Sequence, residues 1–269
     1  MDRPFRSGSG SCQTAAVTGF LGGSGPRAFA HRGWHIGDLT GLENTVASFR
    51  RAVDEGYRYL ETDVRATADG QLVVFHDSRL DRVTDRQGAI AELPWSVVRQ
   101  ARVGGTEPIP LLADVFDELP DAMFNIDAKA PGTVAPLAKL VVQAGAVDRV
   151  CLGSFSDRRV AALRDLLGAG VATSLGPRAI FRLVRASATR RRFRTTAVAA
   201  QVPTRYQGVQ IVTPRLLTTA RSAGLEVHVW TINDPVEMHR LLDLGVDGIM
   251  TDRPAILKDV LVRRSAWVT

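Results

Sequence analysis

Cysteine and lysine are scarce in this 269-residue chain, and long apolar runs are missing. The two cysteines, Cys12 and Cys151, exclude a disulfide scaffold and offer no zinc-type spacing. They fit a reducing compartment, so a cytoplasmic location is expected. No apolar run approaches the ~20 residues that span a bilayer. Met1 to Gly25 is Ser/Gly-rich and holds no apolar stretch of secretory-signal length. Residues 1–26 read as a disordered tail. No Gly-rich dinucleotide fingerprint follows any strand-like segment. The lysines are Lys129, Lys139 and Lys258 alone, so arginine carries the net charge of +6. Such a balance suits nucleic acid, anionic lipid or phosphorylated substrates, or simply an Arg-favouring genome.

What is present is globular: 45% apolar and 23% charged residues. Scaling laws allow a folded surface of roughly 11,000 Å² against roughly 42,000 Å² unfolded, so the core is ample. No linker-like composition follows residue 27, and residues 27–269 read as one domain.

Strand-like and helix-like segments alternate through that domain. Strands are expected at 27–33, 59–65, 71–76, 122–128, 149–155, 170–175, 197–202, 208–212, 226–232 and 248–251. Helices are expected at 44–56, 111–119, 134–144, 156–167, 178–186, 214–223, 235–244 and 254–264, three of them opening on proline, which suits a first helical turn. Residues 80–110 are polar and turn-rich, with one short helical piece near 95–101. This alternation points to an α/β (β/α)₈ TIM barrel with a short insertion after the second extended run. A doubly wound open sheet is the competing architecture.

Barrel enzymes build their sites at the C-terminal ends of the strands. The first strand ends in His31-Arg32-Gly33. Glu61 and Asp63 are two apart and so share a face. The next extended run ends in His76-Asp77. Asn125, Asp127 and Lys129 alternate along the strand at 122–128, and Trp230-Thr231-Ile232-Asn233 closes the strand at 226. Any one of these has a bland reading: a structural His, an ordinary ion-pair cluster, a snorkelling Lys, a core Trp. Together they converge. Three carboxylates in one low-dielectric mouth repel unless a cation separates them. Oxygen-only ligands favour Mg²⁺ or Ca²⁺. Arg32 and Lys129 beside that cation suit a phosphate, and two histidines remain for acid and base.

These residues, with Glu43-Asn44-Thr45, Ser48-Phe49 and the run from Gly245 to Pro254, resemble the glycerophosphodiester phosphodiesterases from about residue 27 to about 262. The resemblance implies a TIM barrel, a divalent cation and hydrolysis of a small-molecule glycerophosphodiester to sn-glycerol 3-phosphate and an alcohol. It implies Glu61, Asp63 and Asp127 as metal ligands, and Arg32 and Lys129 as phosphate holders. His31 and His76 become the acid/base pair, Trp230 a substrate contact, and Glu43 and Asn44 supports. Asp127 stands where that family usually has Glu, which draws the carboxylate back by ~1.5 Å, one C–C bond.

Two other readings stay open. A lysophospholipase D- or sphingomyelinase D-like enzyme would act on membrane lipids; the basic run 182–194 reads first as a solvated charged helix end or loop, and it also suits a transient membrane-surface contact. An inactive barrel would serve as a binding module, against which the intact His pair counts. No nucleic-acid partner is expected, and nothing in the sequence speaks to oligomeric state.

Overall fold

The structure, a computed structural model, describes residues 19–268. Eight parallel strands form its centre: β1 (Arg27–His31), β2 (Tyr59–Ala66), β3 (Met123–Ala128), β4 (Val150–Gly153), β5 (Ala172–Thr173), β6 (Ala199–Val202), β7 (Glu226–Val229) and β8 (Gly248–Thr251). They pair in the order β5-β4-β3-β2-β1-β8-β7-β6. A parallel bridge between Ser174 and Ala199 joins β5 to β6 and closes the ring. Eight helices cover it: α1 (Val46–Asp54), α2 (Leu112–Glu118), α3 (Val134–Gln143), α4 (Asp157–Leu167), α5 (Pro177–Thr189), α6 (Pro214–Ser222), α7 (Pro235–Leu244) and α8 (Pro254–Arg263). The expected (β/α)₈ barrel is therefore what forms, and the open sheet is not.

Local chemistry sets the helix starts. Thr45 and Ser48 close a reciprocal capping box on α1, while Ser156, Thr213 and Asp234 cap α4, α6 and α7. Proline opens α5 to α8, where its missing N–H costs nothing.

Strand alternation divides the core in two. Outward residues such as Leu60, Val64, Phe124, Ile126 and Leu152 pack under the helices. Inward residues Phe29, Tyr59, Cys151, Ala199 and Met250 fill the barrel floor. Above them lies a polar layer, where Gln201 Nε2 donates to Asn125 Oδ1 at 2.6 Å. The mouth comes next. Register carries this stacking from strand to strand, with His31 beside Glu61, Glu61 beside Asn125 and Asp63 beside Asp127.

Three sequence expectations are corrected. The segment 208–212 is not a barrel strand: Val209–Gln210 pairs antiparallel with Arg205–Tyr206 in an exposed hairpin. The extended run at 71–76 is not one either. Leu72–Val74 folds back antiparallel onto the end of β2, so a hairpin delivers His76. The insertion is less irregular than its polarity suggests, because Phe75, Leu80, Ile90, Val98 and Ile109 build a small core of their own.

The expected disordered tail lies outside the described residues as far as 18, and from 19 onward it is corrected. Phe20 is fully buried in the barrel floor, edge-on to Tyr59 at 5.4 Å. Tyr59 donates its hydroxyl to the Phe20 carbonyl, and Arg27 donates to the Leu21 and Gly22 carbonyls. A Cβ on Gly19 would sit 2.4 Å from the Asp148 carbonyl oxygen, so only glycine passes there. One aromatic among small residues carries no periodicity, which is why the plug is invisible in sequence. Phe20→Ala should cost about 3–5 kcal/mol in urea denaturation, the range for emptying a buried aromatic site. A chain beginning at Gly25 should melt lower than the full chain. Unchanged midpoints would show that the plug adds no stability.

Candidate active site

The end of β1 is bent to face the mouth. Arg32 and Asn44 both hold left-handed backbone, φ 57° and φ 59°. The Arg32 N–H donates to the Glu61 carbonyl, and the Asn44 N–H to the Arg32 carbonyl. Gly33 (φ 86°) follows, where a Cβ would meet Ser48 Oγ at 2.4 Å. This tight turn lays the Arg32 guanidinium across the strand ends.

Asp63 is the centre of the mouth. Its Oδ1 lies 2.7 Å from Lys129 Nζ and its Oδ2 3.3 Å from Arg32 Nε. Asn44 Nδ2 donates to the same Oδ2 at 3.3 Å, and Asn44 Oδ1 accepts from Thr62. Burial would raise the Asp63 pKa, but Lys129 and Arg32 hold it below the ordinary carboxylate range. Lys129 also reaches Asp127 Oδ2 at 2.7 Å. Burial outweighs that contact and pushes Asp127 up. Burial and the like charge of Asp63 push Glu61 up to about 7.

These contacts correct the repulsion argument. The Lys129 ammonium itself stands between two of the three carboxylates, so the chain supplies part of the neutralising charge. Among the described residues no three His, Cys, Asp or Glu side chains group as a ready metal cage. The donor set nevertheless fits a hard cation in one respect. Glu61 Oε2 and Asp127 Oδ1 are buried carboxylate oxygens without a hydrogen-bond partner, which a cation would satisfy.

The two histidines are each steadied by a carboxylate. His31 Nδ1 contacts Asp252 Oδ1 at 2.5 Å, and its Nε2 lies 3.6 Å from Glu61 Oε2. Burial opposes charge on His31, but Glu61 and Asp252 raise its pKa above the ordinary value. Asp252 accepts from Asn233 Nδ2 at 3.1 Å. Burial would raise Asp252, and His31 and His35 hold it well below the usual range. His76 Nδ1 contacts Asp77 Oδ1 at 2.6 Å. Asp77 is lowered to about 2, first by its hydrogen bonds to Arg82. A carboxylate on Nδ1 keeps that nitrogen protonated and leaves Nε2 for chemistry.

Glu43 joins the rim to the insertion: it accepts from Arg32 at 3.0 Å and from Arg82 at 2.7 Å. Trp230, beyond β7, meets Phe155, beyond β4, edge to face at 5.8 Å. Lys129 Nζ sits 5.5 Å over the Phe155 ring. All ten sequence-named residues thus occur around the strand ends. Sequence reasoning missed Asp252, Asp77 as a His partner, Arg82 and Phe155. Asp252 follows β8 as His31 ends β1, and the pairing of those two strands was the available signal.

A parallel barrel with carboxylate-backed histidines and paired cations at its C-terminal mouth gathers the kinds of group that phosphodiester hydrolysis calls on. Comparison with known proteins gives this class of chemistry a name. The glycerophosphoryl diester phosphodiesterase family profile matches residues 31–256, and the chain belongs to that family. It is 40% identical over 258 residues to a probable glycerophosphodiester phosphodiesterase 2 of Mycobacterium tuberculosis, covering 94% of this chain and 97% of that one. A lysophospholipase D of Rattus norvegicus is 27% identical over 89% of this chain and 87% of its own. A phosphodiesterase of Oleispira antarctica, solved with the product sn-glycerol-3-phosphate, shares the fold at TM-score 0.73 and 23% identity, covering 88% and 97%.

The raised Glu61 gives a pH-dependent stability. A carboxyl held above its unfolded pKa contributes fully below about pH 4.5, and that contribution is lost as pH rises to about 7. In chelator, Glu61→Gln should therefore melt higher than wild type at pH 8 and level with it at pH 4. Equal melting temperatures at both pH values would remove the buried-carboxylate explanation.

Proposed function

We propose that the protein hydrolyses glycerophosphodiesters to sn-glycerol 3-phosphate and an alcohol. The carrying observation is the pair of histidines at one mouth, each backed through Nδ1 by an aspartate, beside Arg32 and Lys129. A phosphodiester needs a proton acceptor, a proton donor and cations for its oxygens, and these residues supply all three.

In this reading Arg32 and Lys129 hold the phosphoryl oxygens and neutralise the charge that builds on them. His31 Nε2 takes the proton of the nucleophile, either water or the substrate's own glycerol 2-hydroxyl. His76 gives a proton to the departing alkoxide. Attack by the 2-hydroxyl would pass through a cyclic phosphate. Asp252 and Asp77 hold the two rings in orientation. Trp230 packs against the glycerol or the leaving group, and Glu43 and Asn44 hold Arg32 and Asp63 in place. Glu61, Asp63 and Asp127 would hold a divalent cation, Mg²⁺ or Ca²⁺, which when bound polarises a phosphoryl oxygen and acidifies a nearby hydroxyl. Among the described residues no helix is long and apolar enough to cross a membrane. Two cysteines, one of them the buried, unpaired Cys151, suit a cytoplasmic setting.

A second reading, lysophospholipase D activity, draws support from the rat relative and from the Phe155 ring, 63% exposed at the rim. Release of glycerol 3-phosphate from glycerophosphocholine, against choline release from lysophosphatidylcholine, separates the two. The first reading expects faster turnover of the water-soluble diester. Equal or faster lysolipid cleavage would transfer the assignment to the second.

Activity should fall in excess chelator after dialysis and return with Mg²⁺ or Ca²⁺; full activity in chelator would overturn the cation assignment. His31→Ala and His76→Ala should each lose roughly 10²–10⁴-fold in turnover. On a nitrophenyl ester, whose leaving group departs unaided, His76→Ala should recover most of its loss and His31→Ala should not. Recovery in the opposite variant would exchange the two roles.

A further inference from the structure

The charge of this chain is unevenly distributed. Residues 166–225 hold ten arginines and no aspartate or glutamate. The remaining 209 residues carry 24 basic and 28 acidic side chains, so the net positive charge comes from this one stretch. None of these arginines is among the mouth residues described above.

Folding gathers half of those arginines in one place. Arg190, Arg191, Arg192, Arg194 and Arg215 line a cleft of about 750 Å³ between the turn after α5 and the side of α6. All five are exposed. Among the described residues no carboxylate lies within 4 Å of any of them, although arginines elsewhere in the molecule are widely paired. The cleft is held in shape. Arg190 ends α5 in left-handed backbone, φ 54°. Phe193 is buried and pins the turn, and the Arg182 guanidinium lies 6.0 Å over its ring. The hydroxyls of Thr218, Thr219 and Ser222 donate back to helix carbonyls, which leaves the guanidinium groups as the cleft's free donors.

A merely solvated face mixes both signs of charge. Five unpaired guanidinium groups on one anchored concavity repel one another and invite an anion. Guanidinium forks match phosphate oxygens two at a time. A cleft of this volume is of small-molecule scale, unlike the long track a nucleic-acid strand needs. We propose that this cleft binds a small anion bearing several phosphate charges. The same chemistry is offered by a soluble polyphosphate and by the headgroup of an anionic phospholipid. The inference does not depend on the catalytic assignment.

The full chain tests it. Tripolyphosphate is titrated by calorimetry, and flotation is measured with phosphatidylcholine vesicles with and without cardiolipin. R191E/R192E removes cleft charge. R99E/R158E makes the same net change at exposed arginines outside the cleft. Tripolyphosphate or cardiolipin binding should weaken roughly tenfold or more in R191E/R192E, the scale of a lost charge-assisted contact, and hold in R99E/R158E. Both variants should keep the far-UV circular dichroism and the cooperative thermal melt of the wild type, which shows that the barrel is folded. Binding of tripolyphosphate assigns a soluble ligand, and binding of cardiolipin vesicles alone assigns a lipid. Absence of both, or equal weakening in the two variants, would overturn the site. Tighter saturable binding of a mixed-sequence oligonucleotide, lost in R191E/R192E, would overturn it in favour of nucleic acid.

Discussion

The buried charge of Asp63 is the constraint around which the mouth is organised. At 1% exposure it cannot be solvated, so the chain must surround it with donors and cations. Lys129, Arg32 and Asn44 do this from three different elements. Each brings a requirement of its own. Arg32 needs a left-handed turn, which needs Gly33 against Ser48. Asn44 needs Thr62 to fix its amide. Lys129 needs the alternation of β3 to bring it and Asp127 to the same side. Removing the charge of one partner would leave others buried and uncompensated.

The same arrangement explains why the three carboxylates differ. Asp63 is surrounded by cations and stays below the ordinary range, while Asp127 and Glu61 are pushed up by burial. Two residues apart on one strand, Glu61 and Asp63 are thus shifted in opposite directions. The unpartnered Glu61 Oε2 and Asp127 Oδ1 mark where the carboxylates of the mouth are least satisfied. Stability and function pull against each other there, as is usual where a site must accept a charged ligand.

The barrel below the mouth works differently. Its floor is a packed aromatic and aliphatic layer closed by Phe20. At the strand starts beside that floor His228 Nε2 meets Glu226 at 2.9 Å and Glu226 in turn holds Arg27, and above it Gln201 bonds Asn125 in a polar layer. The reactive end therefore stands on a rigid base whose residues lie on the strands themselves, which is what positions charged groups to within fractions of an ångström.

Sequence alone determined the class of fold, because alternating short apolar runs and amphipathic helices leave a closed parallel barrel as their natural solution. It also determined which residues meet at the mouth, since strand alternation puts Glu61 with Asp63 and Asp127 with Lys129 on one face, and barrel geometry brings strand ends together. It did not contain the pairings between side chains far apart in the chain. Asp252 on His31, Arg82 on Glu43 and Phe20 in the floor each depend on register and on chain reversal, which no local pattern encodes. Nor did it tell which way the pKa of each carboxylate moves. That direction belongs to the tertiary structure, because burial and the position of one lysine decide it, and both exist only once the barrel has closed.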